Sequence, residues 1–134
     1  MKSQKGLPSP HAPTILVADR ESEAARLLAR YLSRQGLRAS HTGSGQDVLF
    51  SARSGSLALA ILDAELEDMS GQALACRLKE IDARIHVVMT SADPRPELEI
   101  QARQAGVLYY AHKPINHRSL KAVVERALNK DPCR

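Results

Sequence analysis

Short runs of apolar residues recur along the chain and indicate its organisation. The clearest is LALAIL at residues 57–62, which shows no alternation of apolar and polar positions. A strand with helices packed on both faces has this pattern, because neither face meets water. Similar or weaker runs predict four more strands, so that the five strands span residues 14–18, 37–41, 57–62, 85–89 and 107–111.

Amphipathic segments separate these runs and predict helices. The clearest spans residues 22–35, where apolar residues recur at i, i+3, i+4, i+7 and i+8. This spacing places them on one face, which we expect to pack against the core. Less regular patterns predict four further helices. The apolar face of the first helix consists of Ala24, Leu27, Leu28, Tyr31 and Leu32, and the other helices span residues 46–52, 71–82, 96–104 and 118–128.

Strands that alternate with helices are typical of an α/β domain with a doubly wound, parallel five-stranded sheet. A chain of 134 residues with 43% hydrophobic side chains suits one such domain with a single core. We place this domain at residues 14–130. Residues 1–13 combine three prolines with Lys, Ser and Gly and have little to bury, so we predict a disordered leader there and a flexible tail at residues 131–134.

Composition narrows the cellular setting. No apolar run approaches the ~18 residues that a membrane-spanning helix needs, and the N-terminus lacks the apolar core of a signal peptide. Cys76 and Cys133 are too few and too far apart for a disulfide framework or a zinc site. We therefore expect a cytoplasmic protein with no membrane insertion. The excess of 19 basic over 15 acidic residues is small, and we expect no direct contact with nucleic acid.

Polar residues with related chemistry follow four of the five predicted strands. Asp19 follows the first strand, Asp63 follows the third, Thr90 and Ser91 follow the fourth, and Lys113 follows the fifth. The carboxyl ends of parallel strands share one edge of a sheet, so these side chains are expected to meet there. Carboxylates can hold Mg²⁺, a hydroxyl and an ammonium can neutralise phosphoryl oxygens, and a central carboxylate can act as nucleophile. The set is typical of an aspartate that accepts a phosphoryl group.

Alternative roles for these residues account for less of the pattern. Aspartate and serine at strand ends often cap helices, and lysine before proline is common in turns, but these roles do not explain the joint order. A nucleotide-binding domain needs a glycine-rich loop after its first strand, and DRESEA at residues 19–24 has none. A phosphatase with an aspartyl nucleophile needs a second aspartate where this chain has Glu65. No general base or substrate pocket of a free-standing enzyme is visible in the sequence.

Four segments resemble the receiver domain of bacterial two-component response regulators. They are ILVAD at residues 15–19, ILDAELEDMSG at 61–71, VVMTSA at 87–92 and GVLYYAHKP at 106–114. The resemblance extends over nearly the whole predicted domain. It implies a flavodoxin-like (βα)5 fold with strand order 2-1-3-4-5.

The resemblance also implies a role for each residue that matches the family motifs. Asp63 is implied as the phosphoacceptor, Ser91 and Lys113 as the groups that bind the phosphoryl oxygens, and Ser91 with Tyr110 as the switch pair. The proline after Lys113 is often cis in this family. The implied Mg²⁺ ligands are the side chains of Asp19 and Asp63 and the backbone carbonyl of Glu65.

The implied partners are proteins. A histidine kinase or a histidine phosphotransfer protein is expected to dock at the first helix, and an unknown downstream protein at the face formed by the fourth helix, fifth strand and fifth helix. Arg26, Arg30 and Arg34 form a basic ridge on the first helix, which is either a solvated face or a docking surface for an acidic partner. The protein is expected to assist its own phosphorylation and dephosphorylation without being an enzyme in the usual sense.

Arg20 is the main departure from the family pattern. Members usually carry two adjacent acids after the first strand, and the second binds Mg²⁺, whereas Asp19 is followed here by Arg20. If Arg20 points inward, it can pair with Asp63 and occupy the place of the metal, because arginine keeps its charge. That geometry predicts a pseudo-receiver that binds partners without phosphorylation. If Arg20 points outward, Asp19 and Asp63 are left to bind Mg²⁺ weakly and phosphorylation survives.

Overall fold

The computed structural model describes residues 14–129, which contain five strands and five helices in alternation. The predicted leader and tail, and residue 130 of the predicted domain, lie outside the described residues. Within residues 14–129, no helix has the length and apolar character needed to cross a membrane. The elements are β1 (Thr14–Ala18), α1 (Ser22–Arg34), β2 (Arg38–Thr42), α2 (Gly45–Arg53), β3 (Leu57–Asp63), α3 (Gly71–Ile81), β4 (His86–Ser91), α4 (Pro96–Gln104), β5 (Tyr109–His112) and α5 (His117–Asn129).

The strands form one parallel sheet in the order β2-β1-β3-β4-β5. This order confirms the predicted flavodoxin-like (βα)5 architecture. The chain passes from one side of β1 to the other at β3, and ligand crevices in open α/β sheets lie at such a reversal, beyond the carboxyl ends of the strands. Asp19 directly follows β1 and Asp63 is the last residue of β3, so the fold brings both acids to that point.

The apolar run of β3 supplies the centre of the core on both sides of the sheet. Successive strand residues point to opposite faces. Leu59 and Ile61 pack with α1 and α5, whereas Ala60 and Leu62 pack with α2, α3 and α4. All four are buried, which explains why no polar residue interrupts the run. Burial of each large side chain contributes about 1.5 to 3 kcal/mol to folding.

The buried face of α1 differs from the predicted one. The fully buried residues are Ala25, Leu28, Ala29 and Leu32, and Leu27 is 44% exposed, so the expectation that Leu27 faces the core is wrong. Two alanines on the buried face let the helix backbone lie close to the sheet, which rotates the helix relative to the stripe of large side chains. Leu27 is left at the surface beside the loop that leads into α5.

Strands β4 and β5 both reach further toward the site than the apolar pattern predicts. Thr90 and Ser91 were expected to follow β4, but they belong to it and pair with Ala111 and His112 of β5. Backbone pairing therefore continues where the side chains become polar. As a result, Ser91 is held within the sheet and not in a loop.

The loop between β3 and α3 is tied to the N-terminus of α2. The Asp68 carboxylate accepts hydrogen bonds from the backbone N–H groups of Gly45 (2.8 Å) and Gln46 (3.1 Å) and from the Ser44 hydroxyl (3.2 Å). The hydrogen bond from Gly45 is the main cause that lowers the pKa of Asp68. Asp68 therefore caps a helix that it does not belong to, and this was not visible in the sequence.

Replacing Asp68 with alanine should lower the free energy of unfolding by about 1 kcal/mol at neutral pH, because two helix N–H groups lose their acceptor. A carboxyl with a lowered pKa contributes stability above its ordinary titration range and loses it as the pH falls through the folded-state pKa. The difference from wild type should therefore shrink in acid. Urea denaturation at both pH values measures it, and Glu67→Ala, a change at the exposed neighbour, should have an effect below about 0.5 kcal/mol.

Candidate functional site

Lys113 joins the two strand-end acids. Its ammonium nitrogen Nζ donates hydrogen bonds to Asp19 Oδ2 at 2.9 Å and to Asp63 Oδ2 at 3.1 Å. Both carboxyl groups are buried, and the Lys113 side chain is 20% exposed. The backbone N–H of Lys113 donates to the Ser91 carbonyl at 2.8 Å, and the Lys113–Pro114 peptide bond is cis. The structure thus brings together three of the residues singled out in the sequence from β1, β3 and the end of β5.

Each acid has one oxygen directed to Lys113 and the other held by its own turn. Asp19 Oδ1 accepts from the backbone N–H of Glu21 at 2.9 Å, and Asp63 Oδ1 accepts from that of Glu65 at 3.2 Å. A carboxylate that binds the backbone two residues later is a local turn device of aspartate. Both carboxylates are therefore oriented before any ligand arrives.

The electrostatics of the three groups follow from burial and pairing. Burial raises the pKa of Asp63, and the nearby Asp19 raises it further, against the opposing hydrogen bonds from Glu65 and Lys113. Burial lowers the pKa of Lys113, but its hydrogen bonds to the two acids outweigh burial, so the pKa rises overall. Lys113 therefore stays protonated at neutral pH. A carboxylate with a raised pKa is more basic than an exposed aspartate, which favours its use as a nucleophile.

A cavity of about 900 Å³ opens at the carboxyl ends of the strands, and we call it the strand-end cavity. Ser91 reaches it from the end of β4, and its hydroxyl oxygen accepts a hydrogen bond from the Asp93 backbone N–H at 3.0 Å. The hydroxyl proton remains available for a further acceptor. The lining residues that bear on the chemistry of the site are Arg20, Asp63, Glu65, Ser91, Tyr110 and Lys113.

Tyr110 lies inward, buried against the strand-end cavity. Its hydroxyl oxygen has no hydrogen-bond partner among residues 14–129. The ring meets that of His112 edge-on at 5.4 Å, and His112 Nε2 lies 3.8 Å from Glu99 Oε1 of α4. The period of two along β5 places Tyr110 and His112 on the same face, and this signal predicts their contact.

Arg20 points outward, to the rim of the strand-end cavity. Its Nη2 lies 3.4 Å from Glu65 Oε1, and the two side chains are 56% and 70% exposed. Of the two orientations left open by the sequence, the inward pair with Asp63 is wrong, because Lys113 occupies that position beside the carboxylate. Glu65 was expected to contribute only its backbone carbonyl. Its side chain also holds Arg20, a contact between two loops that local sequence patterns do not reveal.

The site offers two side-chain carboxylates to a Mg²⁺ ion, those of Asp19 and Asp63. Mg²⁺ prefers near-octahedral oxygen ligands, commonly including carboxylates. Within residues 14–129, no group of three or more His, Cys, Asp or Glu side chains is arranged to hold a metal ion. Asp19 and Asp63 both bind Lys113, and the position after Asp19 carries the fixed positive charge of Arg20. The carboxylate set is therefore incomplete relative to the family pattern, and Asp19, Asp63 and the Glu65 backbone carbonyl are the groups that would hold the ion.

A parallel sheet of order 2-1-3-4-5 with two acids and a lysine at its carboxyl edge defines the class of flavodoxin-like receiver folds. The chain belongs to the response regulator receiver domain family, whose model matches residues 15–125. This confirms the resemblance seen in the motifs. Among curated proteins, it is 32% identical over 118 residues to the DNA-binding transcriptional regulator NtrC of Azospirillum brasilense, and 28% identical over 114 residues to the transcriptional regulatory protein ZraR of Escherichia coli K12.

Coverage differs between the curated relatives and the solved structures. The alignments span 88% and 85% of this chain but only 24% of NtrC and 26% of ZraR, so the chain spans about a quarter of the length of these relatives. The receiver domain of NtrX from Brucella abortus is 28% identical, with a TM-score of 0.81 over 87% of this chain and 99% of that one. A CheY-like receiver domain from Methanospirillum hungatei JF-1 shares the fold, with a TM-score of 0.83 at 21% identity over 89% and 95% of the two chains.

Proposed function

We propose that this receiver domain accepts a phosphoryl group on Asp63 from a histidine kinase or a histidine phosphotransfer protein, in the cytoplasm. The observation that carries the proposal is the pair of hydrogen bonds from Lys113 to Asp19 and Asp63, with Asp63, Lys113 and Ser91 lining one cavity. A buried nucleophile, a paired ammonium and a hydroxyl are the groups that phosphoryl transfer to a carboxylate needs.

The transfer follows from these positions. A carboxylate oxygen of Asp63 forms a bond to phosphorus while the phosphorus–nitrogen bond of the phosphohistidine breaks, and the bonding pair stays on the imidazole nitrogen. The Lys113 ammonium and the Ser91 hydroxyl stabilise the phosphoryl oxygens during transfer. The protein is thus a phosphoacceptor that assists transfer to itself, and in this sense it is not an enzyme.

Two surfaces support protein partners. The exposed Leu27 of α1 borders a cavity of about 520 Å³ with Pro114 and Ile115, which suits docking of the phosphodonor. A second surface carries the exposed apolar side chains of Ile100 on α4 and Leu108 just before β5, the strand that contains the switch residue Tyr110. We assign this α4-β5-α5 face to the downstream protein, whose binding is altered when Ser91 and Tyr110 respond to the phosphoryl group. No direct nucleic-acid contact is assigned to either surface.

Mass spectrometry after incubation with phosphoramidate tests this function. Wild type should gain the mass of one phosphoryl group, and Asp63→Asn should gain none while keeping a native circular dichroism spectrum. The incubation is run both with Mg²⁺ and with EDTA, and an adduct in either condition supports the proposal. An adduct of equal yield in Asp63→Asn, or no adduct on wild type in either condition, contradicts it.

The incomplete carboxylate set favours a second function. The chain would then be a pseudo-receiver that binds its partner without phosphorylation, because Arg20 replaces a metal-binding acid. This function predicts that wild type gains no phosphoryl adduct and that Asp63→Asn binds the partner as wild type does. Phosphorylation of the wild-type chain on Asp63 excludes it.

A further inference from the structure

The strand-end cavity holds two arginines whose tethers differ in strength. Arg95 is bound by Asp93 through several hydrogen bonds of 2.8 to 3.1 Å, between residues two apart in one turn. Arg20 is held by a single 3.4 Å contact with Glu65, and both partners are more than half exposed. An exposed ion pair of this kind contributes only about 0 to 1 kcal/mol. Of these two arginines, Arg20 is therefore the one that can more readily leave its partner for a stronger hydrogen-bond acceptor.

The Arg20–Glu65 pair lies close in sequence to both acids of the site, including Asp63. Arg20 follows Asp19 directly, and Glu65 lies two residues after Asp63, whose carboxylate binds the Glu65 backbone N–H. The pair therefore joins the two loops that carry the acids, across the mouth of the strand-end cavity. Arg20 and Asp63 both line this cavity, so a guanidinium released from Glu65 shares it with a phosphoryl group on Asp63.

The charges favour this exchange once Asp63 is phosphorylated. Phosphorylation replaces the single negative charge of the Asp63 carboxylate with close to two negative charges on the phosphoryl oxygens. Lys113 is already divided between Asp19 and Asp63, and the carboxylate set for a compensating Mg²⁺ is incomplete among residues 14–129. Arginine keeps its charge, and its planar fork matches two phosphoryl oxygens. Glu65, in contrast, offers one exposed carboxylate that water solvates well.

We propose that Arg20 is a second phosphoryl-binding cation of this receiver, beside Lys113: it leaves Glu65, binds the phosphoryl oxygens on Asp63, and lets the domain accept a phosphoryl group without Mg²⁺. The inference rests on the proposed function. In the reaction with phosphoramidate, an Asp63 oxygen bonds to phosphorus, the phosphorus–nitrogen bond breaks, and the already protonated nitrogen leaves as ammonia with the bonding pair. Arg20 neither gives nor takes a proton.

The test measures the initial rate of adduct formation with phosphoramidate, in EDTA and in excess Mg²⁺, for wild type and variants at this contact. Wild type should react in EDTA at a rate within about threefold of the rate with Mg²⁺. Arg20→Gln should lower the EDTA rate by about 10- to 100-fold, which is the effect of losing hydrogen bonds to a charged group. Glu65→Gln should keep or raise that rate, because it releases Arg20. Arg95→Gln is the matched control in the same cavity and should leave it unchanged.

Arg20→Asp tests the dependence of the reaction on Mg²⁺, which should not change if Arg20 has only a structural role. The variant restores an acid beside Asp19, so its adduct formation should depend on Mg²⁺, and calorimetric titration should show tighter Mg²⁺ binding than wild type. The inference is overturned if the wild-type adduct requires Mg²⁺ or if Arg20→Gln reacts as wild type does in EDTA. In both cases the proposed function stands. Absence of any adduct in both conditions overturns both proposals.

Discussion

Lys113→Met should slow phosphoryl transfer to Asp63 by at least about 10-fold and lower the free energy of unfolding by about 2 to 4 kcal/mol at neutral pH. The ammonium is the shared partner of two buried carboxylates, at 2.9 Å and 3.1 Å. Methionine fills similar space without charge, so Asp19 and Asp63 face each other uncompensated. The phosphodonor assay measures the first effect, and urea denaturation measures the second.

The pH dependence of this loss follows from the direction of the Asp63 pKa. Burial raises that pKa, so the protonated form is favoured by the fold, and the stability associated with it is lost as the pH rises through the raised value. In Lys113→Met the repulsion exists only while both acids are ionised. The difference in unfolding free energy from wild type should therefore shrink as the pH falls from about 7 to about 4.

A second lysine provides the control. The Lys121 side chain is 28% exposed, close to the 20% of Lys113, and it pairs with Glu125 on the same helix at 3.8 Å. Because this is a single surface pair, Lys121→Met should change the unfolding free energy by less than about 0.5 kcal/mol and leave the transfer rate unchanged. Equal effects of the two replacements would show that Lys113 has no special electrostatic role.

Gly71→Ala should lower the free energy of unfolding by about 3 kcal/mol and also slow phosphoryl transfer. A Cβ atom on Gly71 would lie 2.9 Å from Ala64 Cα and 3.1 Å from the carbonyl carbon of Asp63, with the Asp63 carbonyl oxygen nearer still. These are backbone atoms of the strand end and the turn after it, so they cannot move away without displacing the Asp63 carboxylate. The gain of about 1 kcal/mol in helix propensity does not offset this overlap.

Gly45→Ala is the matched control for Gly71→Ala. Gly45 is also buried and is also the first residue of its helix. The three atoms nearest to a Cβ atom there all belong to the Met69 side chain, with Sδ at 2.6 Å, and a flexible thioether can rotate away. The expected change is within about 1 kcal/mol, with normal phosphoryl transfer. Denaturation curves for the two variants compare them directly, and equal losses would contradict the argument from backbone overlap.

The fold and the order of the site residues were predictable because they depend on patterns along the chain. The strand β3 has an apolar residue at every position from Leu57 to Leu62, which is possible only with cover on both faces. The helix α4 was predicted with the observed bounds, since Pro96 suits a first turn. Asp19, Asp63 and Lys113 meet because parallel strands end at one edge.

The errors concern contacts that no local pattern encodes. Leu27 has the spacing of a core residue, but small side chains on the neighbouring face decided how α1 packs. The orientation of Arg20 depends on Glu65, in a loop far along the chain, and on Lys113 having already taken the place beside Asp63. The sequence alone does not distinguish Asp63 from Glu65 as the partner of Arg20. Only the three-dimensional placement of the loops distinguishes them.

The turn after Asp63 is held by hydrogen bonds at both ends, so the two sides of the proposed phosphoacceptor differ in rigidity. Asp68 anchors the turn to α2, and the Gly71 N–H anchors its far end to the Ala64 carbonyl at 2.8 Å. A bulky group added to Asp63 therefore cannot easily displace the turn on the α2 side. The segment that follows Ser91 and leads into α4 is tied mainly by short contacts within its own turn, so displacement should be directed there, away from α2.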